Sequence, residues 1–274
     1  MRRETEVEIT GLDGLRLVGT YESVADPKTC AVLVHGGGVT REEGGFFKRL
    51  SAGLAAAGVA VLRFDLRGHG ESEGRQEDLT LAAVANDIRS ATEFAVERSG
   101  AESVHLVGAS FSGGVTAMAA AAQPEGVCGL VLFNPLFDYK HRFIDQKPYW
   151  KADRLQPDEA KQLVTHGFLR HSPTFKLGRP LLNEVFHVLP GEYLARVRQR
   201  TLVVHGTKDT FIPVESSRRF LPMLGTSDRN LLEIDGAQHG IAMPDDPGYE
   251  DPQTQAWQRQ VVVAVAQWMV TGRQ

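Results

Sequence analysis

Apolar residues in this chain fall into short continuous runs separated by longer amphipathic stretches, and that rhythm predicts the fold class. Cys30–Val34, Ala60–Phe64, Val104–Val107, Leu130–Phe133, Thr201–Val204 and Leu231–Ile234 read as buried strands. Between them, Phe46–Ala57 is an amphipathic helix stopped by Gly58. Leu81–Arg98 is a long helix with Val84, Ile88, Ala91 and Ala95 on one face, and Ala117–Ala122 is rich in good helix formers. Val214–Leu221 and Thr254–Val270 complete the helical set. Strands joined by helices of this length imply crossover connections and a mostly parallel, doubly wound α/β sheet. Two earlier strands, Val7–Ile9 and Leu15–Tyr21, meet through the turn Gly11-Leu12-Asp13-Gly14.

The alternation breaks between about Leu136 and Arg200. This stretch carries Phe137, Tyr149, Trp150, Phe168, Phe175 and Phe186, punctuated by Pro148, Pro157, Pro173, Pro180 and Pro190. A segment that long is not a structureless loop; it reads as an inserted, mainly helical cap with helical patches and no strands. The expected organisation is a core from residues 1–135 and 201–274, with a cap at 136–200.

Composition narrows the class. The 274 residues, 42% hydrophobic and 23% charged, suit one soluble α/β domain. A net charge of −4 gives no reason to expect nucleic acid as a partner. The N-terminal MRRETEVEIT has no apolar segment behind its arginines, so it is not a secretory signal, and no run reaches membrane-span length. The expected location is cytoplasmic. Cys30 and Cys128 make neither a disulfide framework nor a metal cluster, and no cofactor or metal is expected. Nothing in the sequence fixes an oligomeric state.

The candidate chemistry centres on SVHLVGASFSGG, Ser103–Gly114. A strand turning directly into a helix needs small residues two before and two after the apex. Gly108 and Ser112 meet that need around Ser110, whose hydroxyl then projects above the sheet. The N–H of Phe111, in the first helical turn, is left unpaired and aimed at developing negative charge. A second register centres on Ser112, but that residue falls inside the helix, whereas Gly108 directly follows the apolar strand. A serine hydroxyl needs a base, and the base an orienting acid, on the same sheet edge. Asp209 follows Thr201–Val204 in LVVHGTKDTFIPVE, and His239 follows Ile234 in GAQHG. Asp138 is the reserve acid; Asp65 and Asp235 also follow strands. His35 and His205 precede glycines at strand ends and are assigned to turn geometry, and His105 to packing within its strand. The loop His35-Gly36-Gly37-Gly38 lets backbone N–H groups approach a ligand.

These residues carry a resemblance. GASFS at 108–112 resembles the nucleophile elbow of the α/β-hydrolase superfamily, with Ser112 where glycine is more usual, and the order Ser110, Asp209, His239 is that superfamily's order. DLRGHGES at 65–72, VHGGG at 34–38, HGTKDTFIP and GAQHG look like segments of its serine aminopeptidase-like (S33-type) branch. That branch includes monoacylglycerol lipases, proline iminopeptidases and cinnamoyl esterases. The resemblance covers 5–135 and 201–270, not the cap. It implies Gly37 as the second oxyanion donor beside Phe111, and Arg67 and His69 as residues that brace their loop. A serine rather than an aspartate at the elbow argues against haloalkane dehalogenases and epoxide hydrolases.

The expected activity is cofactor-free hydrolysis of an acyl bond in a small molecule, foremost a carboxylic ester, through an acyl-enzyme. A thioesterase acting on acyl groups of coenzyme A or a carrier protein is the closest alternative. An amidase or aminopeptidase, a C–C bond hydrolase and a non-catalytic binding module follow. Residues 138–200 hold twelve Lys and Arg against seven Asp and Glu, a net of +5, while eighteen against twenty-seven leave the remainder at −9. A basic cap would steer anionic substrates, whereas solvated helix faces account for the same count.

Overall fold

The computed structural model describes residues 3–123 and 125–271. Its central sheet has eight strands: β1 (Arg3–Thr10), β2 (Arg16–Ser23), β3 (Thr29–Val34), β4 (Ala60–Phe64), β5 (Ser103–Ala109), β6 (Val127–Phe133), β7 (Arg200–Gly206) and β8 (Arg229–Ile234). They lie in the order β1-β2-β4-β3-β5-β6-β7-β8. The β1/β2 and β2/β4 pairs are antiparallel and the others parallel. Together with the intervening helices this is the α/β-hydrolase arrangement.

The helices are α1 (Phe46–Ala56), α2 (Leu81–Ser99), α3 (Phe111–Ala122), α4 (Pro157–His166), α5 (Arg179–Glu184), α6 (Val214–Phe220) and α7 (Pro252–Thr271). Both sheet faces are covered, so the central strands are apolar on both sides. Cys30, Val32 and Val34 of β3 join a core with Ile88 of α2 and Val115 of α3. Ala31 and Leu33 face a second core with Leu50 of α1 and Val265 of α7. Thr80 accepts the Ala83 N–H at the start of α2, and Gly100 ends that helix in the left-handed region.

Two elements differ from the sequence expectation. Strand β1 starts four residues before Val7, because Thr5, Val7 and Ile9 turn inward while Glu4, Glu6 and Glu8 face water. Charge on the outer face of an edge strand blunts edge pairing. More substantially, residues 136–200 are not free of strands. Trp150–Lys151 pairs with Arg154–Leu155, and Phe168–Arg170 with Lys176–Gly178, as two small antiparallel hairpins. Strands of two or three residues are too short to show alternation. The first hairpin turns through Ala152 and Asp153, which take positive φ without the glycine that marks such turns. Helical structure still predominates in the segment, through α4, α5, a π-type turn at His141–Asp145 and a 3-10 turn at Pro190–Arg196.

This segment is tied to the loops at the carboxyl edge of the sheet. The Glu184 carboxylate accepts the Leu81 and Ala82 N–H groups at the start of α2, at 2.5 and 3.0 Å. Gln76 accepts the Lys176 N–H at 3.0 Å. Among the described residues, no helix is long and apolar enough to cross a membrane.

Candidate active site

The turn between β5 and α3 is as tight as its sequence implies. Ser110 sits there at φ 50°, ψ −116°, a conformation L-residues adopt only when their surroundings over-determine it. The surroundings do so by hydrogen bonds. Ser110 N–H donates to the Phe133 carbonyl at 2.8 Å, and its own carbonyl accepts from Gly113 and Leu136 N–H at 3.0 and 2.9 Å. Small neighbours are steric necessities: a Cβ on Gly108 would lie 2.6 Å from Thr116 Oγ1, and one on Gly36 would lie 3.3 Å from Ser110 Cβ. Tyr139 donates to the Phe111 carbonyl and accepts the Val115 N–H, fixing the first turn of α3.

Ser112 is fully buried and does a different task. Its hydroxyl donates to the Val34 carbonyl at 2.6 Å and accepts the Ala109 N–H at 3.0 Å, stitching β3 to the elbow. That geometry leaves Ser110 as the hydroxyl at the apex.

Three strand ends converge there. Ser110 Oγ, after β5, lies 2.9 Å from His239 Nε2 in the loop after β8. His239 Nδ1 lies 2.7 Å from Asp209 Oδ2 in the loop after β7. Because a carboxylate only accepts, Nδ1 carries the proton, and Nε2 presents its lone pair to the serine hydroxyl. Asp209 is buried and held on both oxygens. Oδ1 accepts Phe211 and Ile212 N–H, each at 2.8 Å, and Oδ2 accepts Asn134 Nδ2 at 2.6 Å as well as His239. Burial alone would raise its pKa, but hydrogen bonds from His205 and His239 outweigh it and hold the carboxyl well below the usual range.

Gly37 and Phe111 line one cavity with Ser110. Among the described residues neither backbone N–H has a hydrogen-bond acceptor, as an oxyanion site requires. The glycine loop is held from both sides. Gly36 N–H donates to Glu43 at 2.6 Å, and Gly38 N–H to His69 Nε2 at 3.0 Å. Glu43 is buried, and burial pushes its carboxyl up to about 7. His69 Nδ1 in turn donates to the Arg67 carbonyl at 3.0 Å, and Arg67 pairs with Asp87 and Asp13. Both therefore brace the loop. His35 donates from Nδ1 to its neighbour's carbonyl and accepts the Leu66 N–H at Nε2, joining β3 to the Asp65–Ser72 loop.

Two residues of the constellation were not assigned these positions from the sequence. His205 does more than shape a turn. It is buried, donates from Nε2 to the Ile212 carbonyl at 2.8 Å, accepts from Ser217 at Nδ1 and lies 3.4 Å from Asp209. Asn134 follows β6 at φ 43° and aims its amide at Asp209. Its position one residue past a strand, on the same edge as Ser110, was the available signal. The reserve acid Asp138 stands elsewhere and caps the His141 N–H at 3.0 Å. Asp65 is bound to Arg41, and Asp235 accepts from Thr207. His105 packs against Trp268.

The cavity above Ser110 measures about 40 Å³ and is walled by Leu136, Phe143, Phe175 and Phe211, with Arg142, His171 and Ser172 among its polar members. Besides an open groove of about 590 Å³ along Thr210, His239 and Tyr249, two others larger than this cavity lie at the opposite, amino-terminal edge of the sheet, around Val104 and Gly126 and around Thr29 and Cys128. Distance from Ser110 excludes those two from its chemistry. Among the described residues no group of His, Cys, Asp and Glu is arranged to hold a metal ion.

Comparison with known proteins agrees with this architecture. The chain is 25% identical over 293 residues to a monoacylglycerol lipase of Mycolicibacterium smegmatis, covering 97% of each. Its backbone is similar to ferulic acid-bound Est1E from Butyrivibrio proteoclasticus, with TM-score 0.78 and 21% identity over 97% of this chain and 98% of that one. A monoacylglycerol lipase of Paleococcus ferrophilus aligns at TM-score 0.66 and 24% identity, over 94% and 99%. A sequence model of the family described as "Serine aminopeptidase, S33" matches residues 25–246. With most of its length inside that match and its strands in this order, the chain belongs to the S33 serine aminopeptidase family of α/β-hydrolases.

Proposed function

We propose that this enzyme hydrolyses carboxylic esters with Ser110 as nucleophile, His239 as general base and acid, and Asp209 as the group that orients and stabilises the imidazole. The observation that carries the reading is the unbroken chain from Ser110 Oγ through His239 to the buried Asp209 carboxylate. The ester-cleaving relatives named above support the bond class.

In the first step, Ser110 Oγ attacks the carbonyl carbon while its proton passes to His239 Nε2. The new C–O bond pushes negative charge onto the carbonyl oxygen, which the Gly37 and Phe111 N–H groups receive. Losing one such donor typically costs about 10²–10³ in rate. The imidazolium, stabilised by Asp209, then protonates the departing alcohol, leaving an acyl-serine. Water repeats the sequence: His239 takes its proton, the acid forms and Ser110 is restored.

Residues 136–200 act, in this reading, as the cap over a core of 1–135 and 201–274. A cavity of about 40 Å³ is far below the roughly 300–1,000 Å³ of small-molecule sites, so substrate entry requires the aromatic walls to part. An aminopeptidase needs an anion to hold a free amine, and no acidic side chain lines this cavity among the described residues. Glu184, an acid of the capping segment, is committed to the start of α2.

Turnover of p-nitrophenyl esters of graded chain length tests the proposal, alongside labelling by a fluorophosphonate. Ser110→Ala is expected to abolish labelling and cut turnover at least about a thousandfold. Unchanged turnover in that variant, or a folded wild-type protein that is neither labelled nor active, would overturn it.

A further inference from the structure

The wall of the Ser110 cavity contributed by residues 136–200 is made of Leu136, Phe143, His171, Ser172 and Phe175, with one permanently charged side chain, Arg142. Arg142, on the π-type turn, lays its guanidinium 3.8 Å from the centre of the Phe211 ring. Phe211 in turn packs 4.8 Å from the His239 ring. Arg142 thus stands one aromatic ring from the general base, in the same cavity as the nucleophile.

Its charge is not matched. Arg142 has no ion pair among the described residues, and its one polar contact is Gln146 Oε1 at a long 3.4 Å. Its Nε is buried without a partner, and so is Nδ1 of His171 on the same cavity wall. The acids closest in sequence are committed elsewhere: Asp145 and Asp153 bind Lys140, at 2.8 and 2.9 Å, and Asp138 caps a helical turn. Asp209 attracts Arg142 electrostatically but spends its oxygens on His239, Asn134 and two backbone N–H groups. Burial, and after it the charge of Arg142, lowers the pKa of Lys147, and burial lowers that of Arg142 itself. The same two charges, again after burial, hold His171 neutral, its pKa down to about 3. A half-buried guanidinium loses part of its hydration on entering such a site, and an anion is the partner that best restores it. Planar, bidentate donation is what a guanidinium offers a carboxylate.

We propose that Arg142 is an anion-binding subsite that selects esters carrying a carboxylate a few bonds from the scissile carbonyl. This rests on the ester-hydrolase reading of the same cavity and specifies the substrate class within it. Phe211 supplies the apolar platform that holds the guanidinium toward Ser110. The carboxylate belongs either to the acyl part, as in a half-ester of a short dicarboxylic acid, or to the alcohol. Both present the same group to Arg142.

Two substrate pairs distinguish these sources. For the acyl side, kcat/KM is measured for p-nitrophenyl hemiglutarate and for its methyl-blocked counterpart. For the alcohol side the pair is 4-acetoxybenzoate and its methyl ester. The charged member is expected to be preferred in one pair. That preference ratio should fall at least about tenfold in Arg142→Gln and be partly kept in Arg142→Lys. Because each ratio is taken within one protein sample, loss of folded material cancels. A ratio below one in both pairs, or one that Arg142→Gln leaves unchanged, overturns the proposal. Should the protein hydrolyse no ester, the ester reading fails by itself, and calorimetric titration of Ser110→Ala with monomethyl glutarate decides the subsite. Binding that weakens at least about tenfold on adding Arg142→Gln supports it, and absence of binding sinks it.

Discussion

Asp209 illustrates how much of the site is fixed one hydrogen bond at a time. Four donors converge on its two oxygens, with His205 Nε2 a more distant fifth at 3.4 Å, and together they favour the ionised form. Replacing it by asparagine keeps the shape but lets an amide N–H face His239 Nδ1, which favours the wrong tautomer. Asp209→Asn is therefore expected to lower kcat by about 10⁴, a loss seen where this exchange has been made in other triads. In the proposed mechanism Asn134, whose amide donates to Asp209, acts through that residue as a positioning group. Asn134→Ala removes one of the four donors and should cost about tenfold in kcat, with KM little changed. Steady-state kinetics on one ester compares the two; losses of equal size would mean that Asn134 does more than hold the acid. Ser110, Asp209 and His239 were legible in the sequence because each follows its own apolar strand. Asn134 and His205 were not, since a polar residue beside a strand end gains its role only from what the neighbouring strand brings to it.

At the scale of elements, the contact between the 136–200 segment and the core is close enough to be tested sterically. Gly178 ends the second small hairpin, and a Cβ there would lie 1.7 Å from the Glu77 carbonyl oxygen. Backbone cannot step aside as a side-chain tip can. Gly178→Ala is expected to destabilise the protein by about 1–3 kcal/mol, read from the urea midpoint. A midpoint equal to wild type would show that this junction is loose. The neighbouring elements explain which parts of the fold could be read in advance. Helix α2 announces itself by the periodic apolar residues Val84, Ile88, Ala91 and Ala95. The two hairpins inside 136–200 have no such signal: they are too short for a pattern and are stabilised by what they pack against, with Leu169, Phe175 and Leu177 entering the main core.

For the whole molecule, the buried histidines set the response to acid. Burial holds His35 neutral in the fold, down to about 3, and His105 down to about 4. In the unfolded chain a histidine titrates near 6.5. Below that pH the unfolded state binds more protons at these histidines, so their contribution is complete above about 6.5 and falls as pH drops toward the folded values. Glu43, held up to about 7, works in the opposite direction over this window but is one group against His35, His105 and His171. Each histidine contributes about 1 kcal/mol per pH unit in that window. Asp209 acts lower down: its depressed pKa stabilises the fold above about 4 and that contribution is lost as pH falls further. The melting temperature should therefore decline between pH 6.5 and 4.5, before most carboxylates titrate. His105→Gln should make that decline shallower, whatever it does to the melting temperature at pH 7.5. Parallel profiles for the two proteins would remove His105 from the account.

The sequence by itself determined the strand–helix alternation, the elbow and the three residues proposed to react, because local sterics and apolar periodicity act within a few residues of where they are written. Gly108 and Ser112 make the turn at Ser110 possible whatever surrounds it. Tertiary structure alone decided the rest. Sheet order brings Ser110 within hydrogen-bond reach of a histidine 129 positions away. The same convergence turns Asn134 and His205 toward Asp209. It leaves Arg142 without an ion pair among the described residues in the Ser110 cavity, where the net charge of residues 138–200 alone could not separate a solvated face from a subsite. Those features are relations between distant segments, and only packing, which sets which side chains share a cavity and which acids are already taken, gives them definite partners.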